Sequence, residues 1–259
     1  MSFLAALRFL TTLRVPQRVG GSPEDLKRSV GLFPVVGIII GLILAGAYWL
    51  LIHILPPGLV SGILIVVSVV LSGGLHLDGF VDTCDGIGGH KDAQSRWQVM
   101  HDSRSGAFGI IGVVCLLLVK YASLNSVPDN LMMAALLIMP VISRWTMVYA
   151  IFAYPYARPS GLGKVIKQGV GRGRFALATA ITVAAVIGLA SWAGIPLFYL
   201  AGPLVMLGVW LITLAMAAYL KGKFDGLTGD TYGAINEVAE VSVLIIICLL
   251  AHNHWPGLS

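Results

Sequence analysis

Charged residues are scarce in this chain. Asp, Glu, Lys and Arg supply 11% of its 259 residues, against about 25% in a soluble domain. Hydrophobic residues supply 57%. A soluble fold of this size leaves much of its surface in water and would have too little polar surface to present there, so lipid must cover part of the molecule. Cysteine is also sparse: Cys84, Cys115 and Cys248 lie far apart, without CxxC spacing. That excludes a disulfide framework and a zinc site built on paired thiolates. There is no Walker A loop, nucleophile elbow, HExxH or dinucleotide fingerprint, and the chemistries those motifs serve lose support. The first sixteen residues carry Arg8 and Arg14 in a short apolar stretch, unlike a cleavable signal peptide. No internal repeat or low-complexity segment breaks the chain, and residues 1–259 read as one membrane-embedded domain, with 1–34 an N-terminal interfacial segment.

What is abundant is apolar sequence in long runs. Seven occur, at 35–55, 59–75, 107–124, 131–154, 175–195, 196–220 and 238–251, and a membrane-spanning helix needs roughly 20 residues. Gly194-Ile195-Pro196 reads as a tight turn between the fifth and sixth. The expected fold is all-α and polytopic, with about seven transmembrane helices. Fifteen of the seventeen basic residues, among them Arg18 and Lys91, then fall on one side; Lys120 lies opposite and Arg144 inside the fourth run. Basic residues mark the cytoplasmic side. The N-terminus is expected inside, the C-terminus outside, and the location a bacterial inner membrane. The net charge of +5 sits in short gaps between apolar runs, which points to the lipid bilayer and not to nucleic acid. Phe3, Leu4, Leu7, Leu10 and Leu13 have helical spacing beside Arg8 and Arg14, which suits an interfacial amphipathic helix.

The polar chemistry gathers in the gaps. After the second run comes His76-Leu77-Asp78-Gly79-Phe80-Val81-Asp82-Thr83-Cys84-Asp85-Gly86. On a helix, Asp78, Asp82 and Asp85 at i, i+4 and i+7 share one stripe. Like charges so placed repel one another, and a hard divalent cation would relieve them. Mg²⁺ takes one or two carboxylates together with substrate phosphates. A second cluster, His101-Asp102-Ser103-Arg104-Ser105-Gly106, brings Asp102 as a further ligand and Arg104 for a phosphate oxygen. His101 reads as a solvated or supporting residue, and His76 as a polar contact to a carboxylate or substrate.

A second acidic segment follows the sixth run and carries Asp225, Asp230, Glu237 and Glu240. Acids at the start of a helix also suit its dipole, but a charge entering a span is a functional candidate. Arg144 suits an anionic substrate, one of these carboxylates, or a snorkelling side chain. The loop Tyr154 to Lys164 combines glycine with Arg158 and Lys164, a composition that serves equally as a phosphate cradle or an ordinary basic loop. Carboxylates with Mg²⁺, facing Arg and Lys, form a constellation for phosphoryl transfer.

These residues resemble the cobalamin synthase family, the adenosylcobinamide-GDP ribazoletransferases, over nearly the whole chain. The likeness runs through Phe9 to Pro16, Phe33 to Gly37, Gly74 to Gly86, Asp102 to Gly109, Gly226 to Ala234 and Glu237. Cys84 and Ala107 stand where Ala and Thr are expected, and neither change removes a charge. The resemblance implies a late step of cobalamin assembly. Adenosylcobinamide-GDP is joined to alpha-ribazole or its 5′-phosphate, GMP leaves, and Mg²⁺ is required. It implies Asp78, Asp82, Asp85 and Asp102 as metal ligands, with Asp82, Asp230 and Arg104 as catalytic residues. His76, Arg144, Lys164, Asp225 and Glu237 are implied at the substrates. A homo-oligomer is compatible with this reading.

Two other readings stay open. A CDP-alcohol phosphotransferase needs Asp-Gly-x-x-Ala-Arg, whereas Asp78-Gly79 here continues to Val81-Asp82; an aromatic prenyltransferase also pairs two Asp-rich segments. A cation or corrinoid transporter predicts acids near the bilayer midplane and a repeat between halves.

Overall fold

The computed structural model describes residues 2–16, 21–89, 92–100, 102, 104–192 and 198–253. His101, Arg18, Lys91 and the expected turn at 194–196 lie outside them. Among the described residues the fold is 82% helical, with no strand. Among the described residues, five stretches are long and apolar enough to cross a membrane: Pro23–Leu51, Ala107–Asn125, Asp129–Ala153, Ala201–Phe224 and Gly229–His252. Two bent helix pairs would raise the number to seven if each pair were one span.

Local chemistry sets where the helices begin and end. Helix α1 is Ser2–Leu10, α2 is Pro23–Ser29, and a single 3₁₀ turn leads into α3, Phe33–Leu51. Helix α4, Pro57–Ser72, has Pro57 in its first turn and stops at Gly73, whose φ is +62°. Gly74 follows at φ +70° and starts α5, Leu75–Ile87. These two left-handed residues, which favour glycine, turn the chain by 91°. Helix α5, with its three Asp, therefore leaves the line of α4, and we read it as lying outside the spans. Helices α6, Ala93–Val99, and α7, Ala107–Asn125, come next. They are followed by α8, Asp129–Ala153, then α9, Leu162–Gly169, and α10, Arg172–Trp192. Helix α11 is Phe198–Phe224. Helix α12, Gly229–His252, starts at a capping box between Thr228 and Thr231, each side chain satisfying a backbone N–H of the other residue.

Helix α8 is the axis of the bundle. Its most apolar stretch is 94% buried, against 22% for α7, so α7 carries much of the lipid-facing surface. The Gly37-x-x-x-Gly41 face of α3 lies directly on α8. A Cβ at Gly37 would come 2.4 Å from the Pro140 carbonyl oxygen, and one at Gly41 2.8 Å from that of Leu137. Small residues permit this approach, which supplies van der Waals contact where lipid offers no hydrophobic driving force.

Charge does enter the bundle, and there it is paired. Lys120 on α7 donates to Glu237 at 3.0 Å and to Glu240 at 2.5 Å, both on α12. Arg144 on α8 donates to Glu240 and to Ser143. All four charged side chains are buried. Lys120, expected near the outer face, instead points into the protein. Of the roles open to Arg144, the structure shows the pairing with a carboxylate. Ion pairing is how charge persists at such positions.

Candidate active site

A cavity of about 550 Å³ opens between α1, α3, α5, α6, α8, α9, the loop 154–161 and the first turn of α12. Its polar residues come mainly from three places: His76 and Asp78 on α5, Asp230 and Tyr232 on α12, and Tyr156, Arg158 and Ser160 on the loop. The contact between α5 and α12 is what brings the two acidic segments together. Gly79 on α5 faces the backbone of Asp230, and a Cβ there would lie 2.7 Å from the Asp230 carbonyl oxygen. Gly233 on α12 faces the backbone of His76 in the same way, at 3.0 Å from its carbonyl oxygen. Two glycines at one crossing let the helices meet backbone to backbone.

The loop is tied to the same place. Leu227 N–H donates to the Pro155 carbonyl at 2.8 Å, and Ala157 N–H donates to the Leu227 carbonyl at 2.8 Å. This pairing holds Arg158 where its guanidinium donates to Asp230 Oδ2 at 2.9 Å. The result is a half-buried carboxylate cluster with one guanidinium. Asp82 is half-buried, and desolvation, then the charges of Asp230 and Asp78, push its carboxyl up to about 7. His76 is fully buried in the cavity wall. Burial, then the positive charge of Arg144, pulls its imidazole down to about 3, so it is neutral at ordinary pH.

Other expected residues take different places. Asp85 accepts Gly106 N–H at 2.7 Å and Gly109 N–H at 2.8 Å, so both its oxygens cap the start of α7. Asp102 and Arg104 bond to each other, at 3.1 Å through Nε and 2.9 Å through the terminal nitrogen. Both are exposed, and this pairing holds the Asp102 carboxyl down at about 2. Lys164 is exposed and donates to the Pro159 carbonyl. Asp225 is exposed at φ +59° in the turn after α11. Glu237 and Arg144 sit in the buried ion network. Thus Asp78, Asp82, Asp230 and His76 come together; Asp102, Arg104, Lys164 and Asp225 lie apart from them, Asp85 is close to Asp82 but has its oxygens taken up by the start of α7, and Arg144 and Glu237 belong to the buried ion network behind His76. Among the described residues, no three His, Cys, Asp or Glu side chains stand ready as a complete metal site.

The comparisons with known proteins agree with the resemblance. The family model described as cobalamin-5-phosphate synthase matches residues 2–248. The chain belongs to the cobalamin-5-phosphate synthase family. It is similar to the adenosylcobinamide-GDP ribazoletransferase of Desulforamulus reducens, with 38% identity over 96% of each chain. The protein of that name from Roseiflexus sp. is 35% identical, over 95% of this chain and 88% of its own. That from Pseudomonas savastanoi pv. phaseolicola is 35% identical over 96% of this chain and all of its own. No solved structure matches.

As a member of the cobalamin-5-phosphate synthase family, the chain is a transferase. Its fold adds to the site several residues outside the acidic motifs. Arg158 is one, and its signal was the glycine- and base-rich loop around it. Phe9, Phe33, Trp97 and Tyr232 are others. They read as ordinary apolar or aromatic positions, since only the packing of α1, α3, α6 and α12 brings them to one cavity.

Proposed function

We propose that this transferase joins adenosylcobinamide-GDP to alpha-ribazole, or to its 5′-phosphate, with release of GMP, at the cytoplasmic face of a bacterial inner membrane. The observation that carries this reading is the crossing of α5 and α12, which sets Asp78, Asp230 and Arg158 on the wall of one cavity, with Asp82 close enough to feel the charge of all three. The names of the related proteins supply the substrates. The basic gaps supply the cytoplasmic side.

The residues fit Mg²⁺. Carboxylates on two helices crowd one another enough to raise Asp82, yet no full ligand set exists among the described residues. Such a site suits a cation that draws its remaining ligands from substrate phosphates and water. Asp78 and Asp230 would hold the ion. When bound, it would neutralise charge on the diphosphate. The ribazole hydroxyl oxygen attacks the phosphorus that bears the cobinamide arm. The bond from that phosphorus to the GMP phosphate oxygen breaks, and a phosphodiester forms. Asp82, half-buried beside the carboxylates of Asp78 and Asp230, accepts the hydroxyl proton. Arg158, already oriented by Asp230, faces the charge that grows on the leaving GMP. Neutral His76 forms part of the wall and adds no charge.

The test is turnover of the purified full chain in detergent with adenosylcobinamide-GDP, alpha-ribazole and Mg²⁺, following cobalamin and GMP by chromatography. Product should vanish with EDTA and with Asp82→Asn. Folded wild-type protein that makes no product would sink the assignment, and CDP-alcohols and prenyl diphosphates would then be tried.

A further inference from the structure

The cavity is divided by chemistry. Its buried lining is mainly apolar: Phe33, Met147, Ile151 and Ile166, with half-buried Phe9 and Trp97 beside them. Its charged groups, Asp78, Asp230 and Arg158, are all more exposed. Two buried side chains of the wall are polar, His76 and Tyr232. Their Nε2 and Oη atoms are sealed from solvent and have no hydrogen-bond partner among the described residues. They therefore present no open donor or acceptor to a ligand in the cavity.

Three pieces of the reacting pair compete for this space. A volume of about 550 Å³ lies within the range, roughly 300–1,000 Å³, that encloses a drug-sized molecule. An adenosylated corrinoid is several times larger than such a molecule and bristles with amides. Guanine is small enough, but its edge carries an amino group, a carbonyl and ring nitrogens. Burying that edge against Phe, Met and Ile would leave those groups unpaired, which is unfavourable. The dimethylbenzimidazole of the ribazole is a flat bicycle with two methyl groups and a single free ring nitrogen, and the polar ribose extends from one end. It matches an apolar pocket with a charged mouth.

Resting on the transferase reading above, we infer that this cavity seats the bicyclic base of the ribazole substrate, with its ribose directed to Asp78, Asp230 and Arg158, and that the corrinoid and the guanosine stay outside. The acceptor is thus held by α1, α3, α6, α8 and α9, and the diphosphate substrate approaches from the mouth. Ile166 and Phe9 become specificity-determining residues.

The experiment uses the full chain in detergent. Equilibrium dialysis measures binding of alpha-ribazole, of free 5,6-dimethylbenzimidazole and of GMP, and steady-state kinetics give KM for each substrate. Wild type is compared with Ile166→Phe, which fills the cavity, and Phe9→Ala, which opens its rim, each checked for folding by thermal melting. Because a methylene in an apolar pocket shifts affinity by roughly 10–200-fold, alpha-ribazole binding should weaken about tenfold or more in Ile166→Phe. It should weaken about threefold or more in Phe9→Ala. KM for adenosylcobinamide-GDP should stay within about twofold. Free dimethylbenzimidazole should compete with alpha-ribazole, and GMP should not. The inference is overturned if these variants move KM for adenosylcobinamide-GDP and leave alpha-ribazole binding intact, or if GMP binding falls with Ile166→Phe. The binding arm needs no turnover. Wild type that binds alpha-ribazole as described but makes no product would refute the reaction and leave the cavity assignment standing.

Discussion

Gly79 stands with its Cα against the backbone of Asp230, 151 positions along the chain; a Cβ at Gly79 would lie 2.9 Å from the Asp230 Cα and 2.7 Å from its carbonyl oxygen. Both neighbours are backbone and cannot step aside like a side-chain tip. An exposed helical glycine replaced by alanine normally gains about 0.5–1 kcal/mol. Gly79→Ala should do the reverse and abolish turnover, though it removes no chemical group. Gly46→Ala, where a Cβ meets nothing within 4 Å, should leave turnover unchanged and melt no lower. Activity and melting temperature of the two variants, measured side by side, decide this.

Asp85 is expected to be a cap and not a ligand. Its oxygens hold the N–H groups of Gly106 and Gly109, and losing a cap of this kind costs about 0.5–2 kcal/mol. Asp85→Ala should lower the melting temperature while the Mg²⁺ concentration for half-maximal rate stays put. Asp78→Asn should do the opposite, raising the Mg²⁺ requirement with little change in melting. A Mg²⁺ titration in which Asp85→Ala shifts the midpoint would return Asp85 to the ligand set.

Arg158 is expected to matter more than Arg104. Removing a preorganised donor to developing charge lowers kcat by roughly 10²–10³. Arg158→Ala should fall in that range. Arg104 is exposed, its guanidinium bound to Asp102, so Arg104→Ala should cost far less. Equal losses in kcat would place Arg104 in the site during turnover.

The buried ions should be coupled in stability. Lys120→Met leaves Glu237 without its cation, and breaking a buried pair costs roughly 3–5 kcal/mol. Adding Glu237→Gln to Lys120→Met should recover a large part of that loss, because the stranded charge is then gone too. Melting of the single and double variants in one detergent measures the coupling; simple additivity would refute it.

Much of this protein was legible along the chain because the signals are local. The lengths of the apolar runs set the helical membrane fold. The spacing of Asp78, Asp82 and Asp85 predicted a helix with its acids on one stripe, and α5 is that helix. The acidic segment before the last span, with Asp230 at its head, was equally plain. Which acids face one another was not. Asp85 shares the stripe of Asp78 and Asp82, yet the start of α7 takes up its oxygens. Glu237 shares a helix with Asp230, yet two turns along α12 it meets Lys120 inside the bundle. Arg158 reaches Asp230 only through a backbone pairing between segments 72 residues apart. Periodicity assigns a side chain to a face of its own helix. Which neighbour lies against that face depends on close packing between distant segments, and only the tertiary structure decides it.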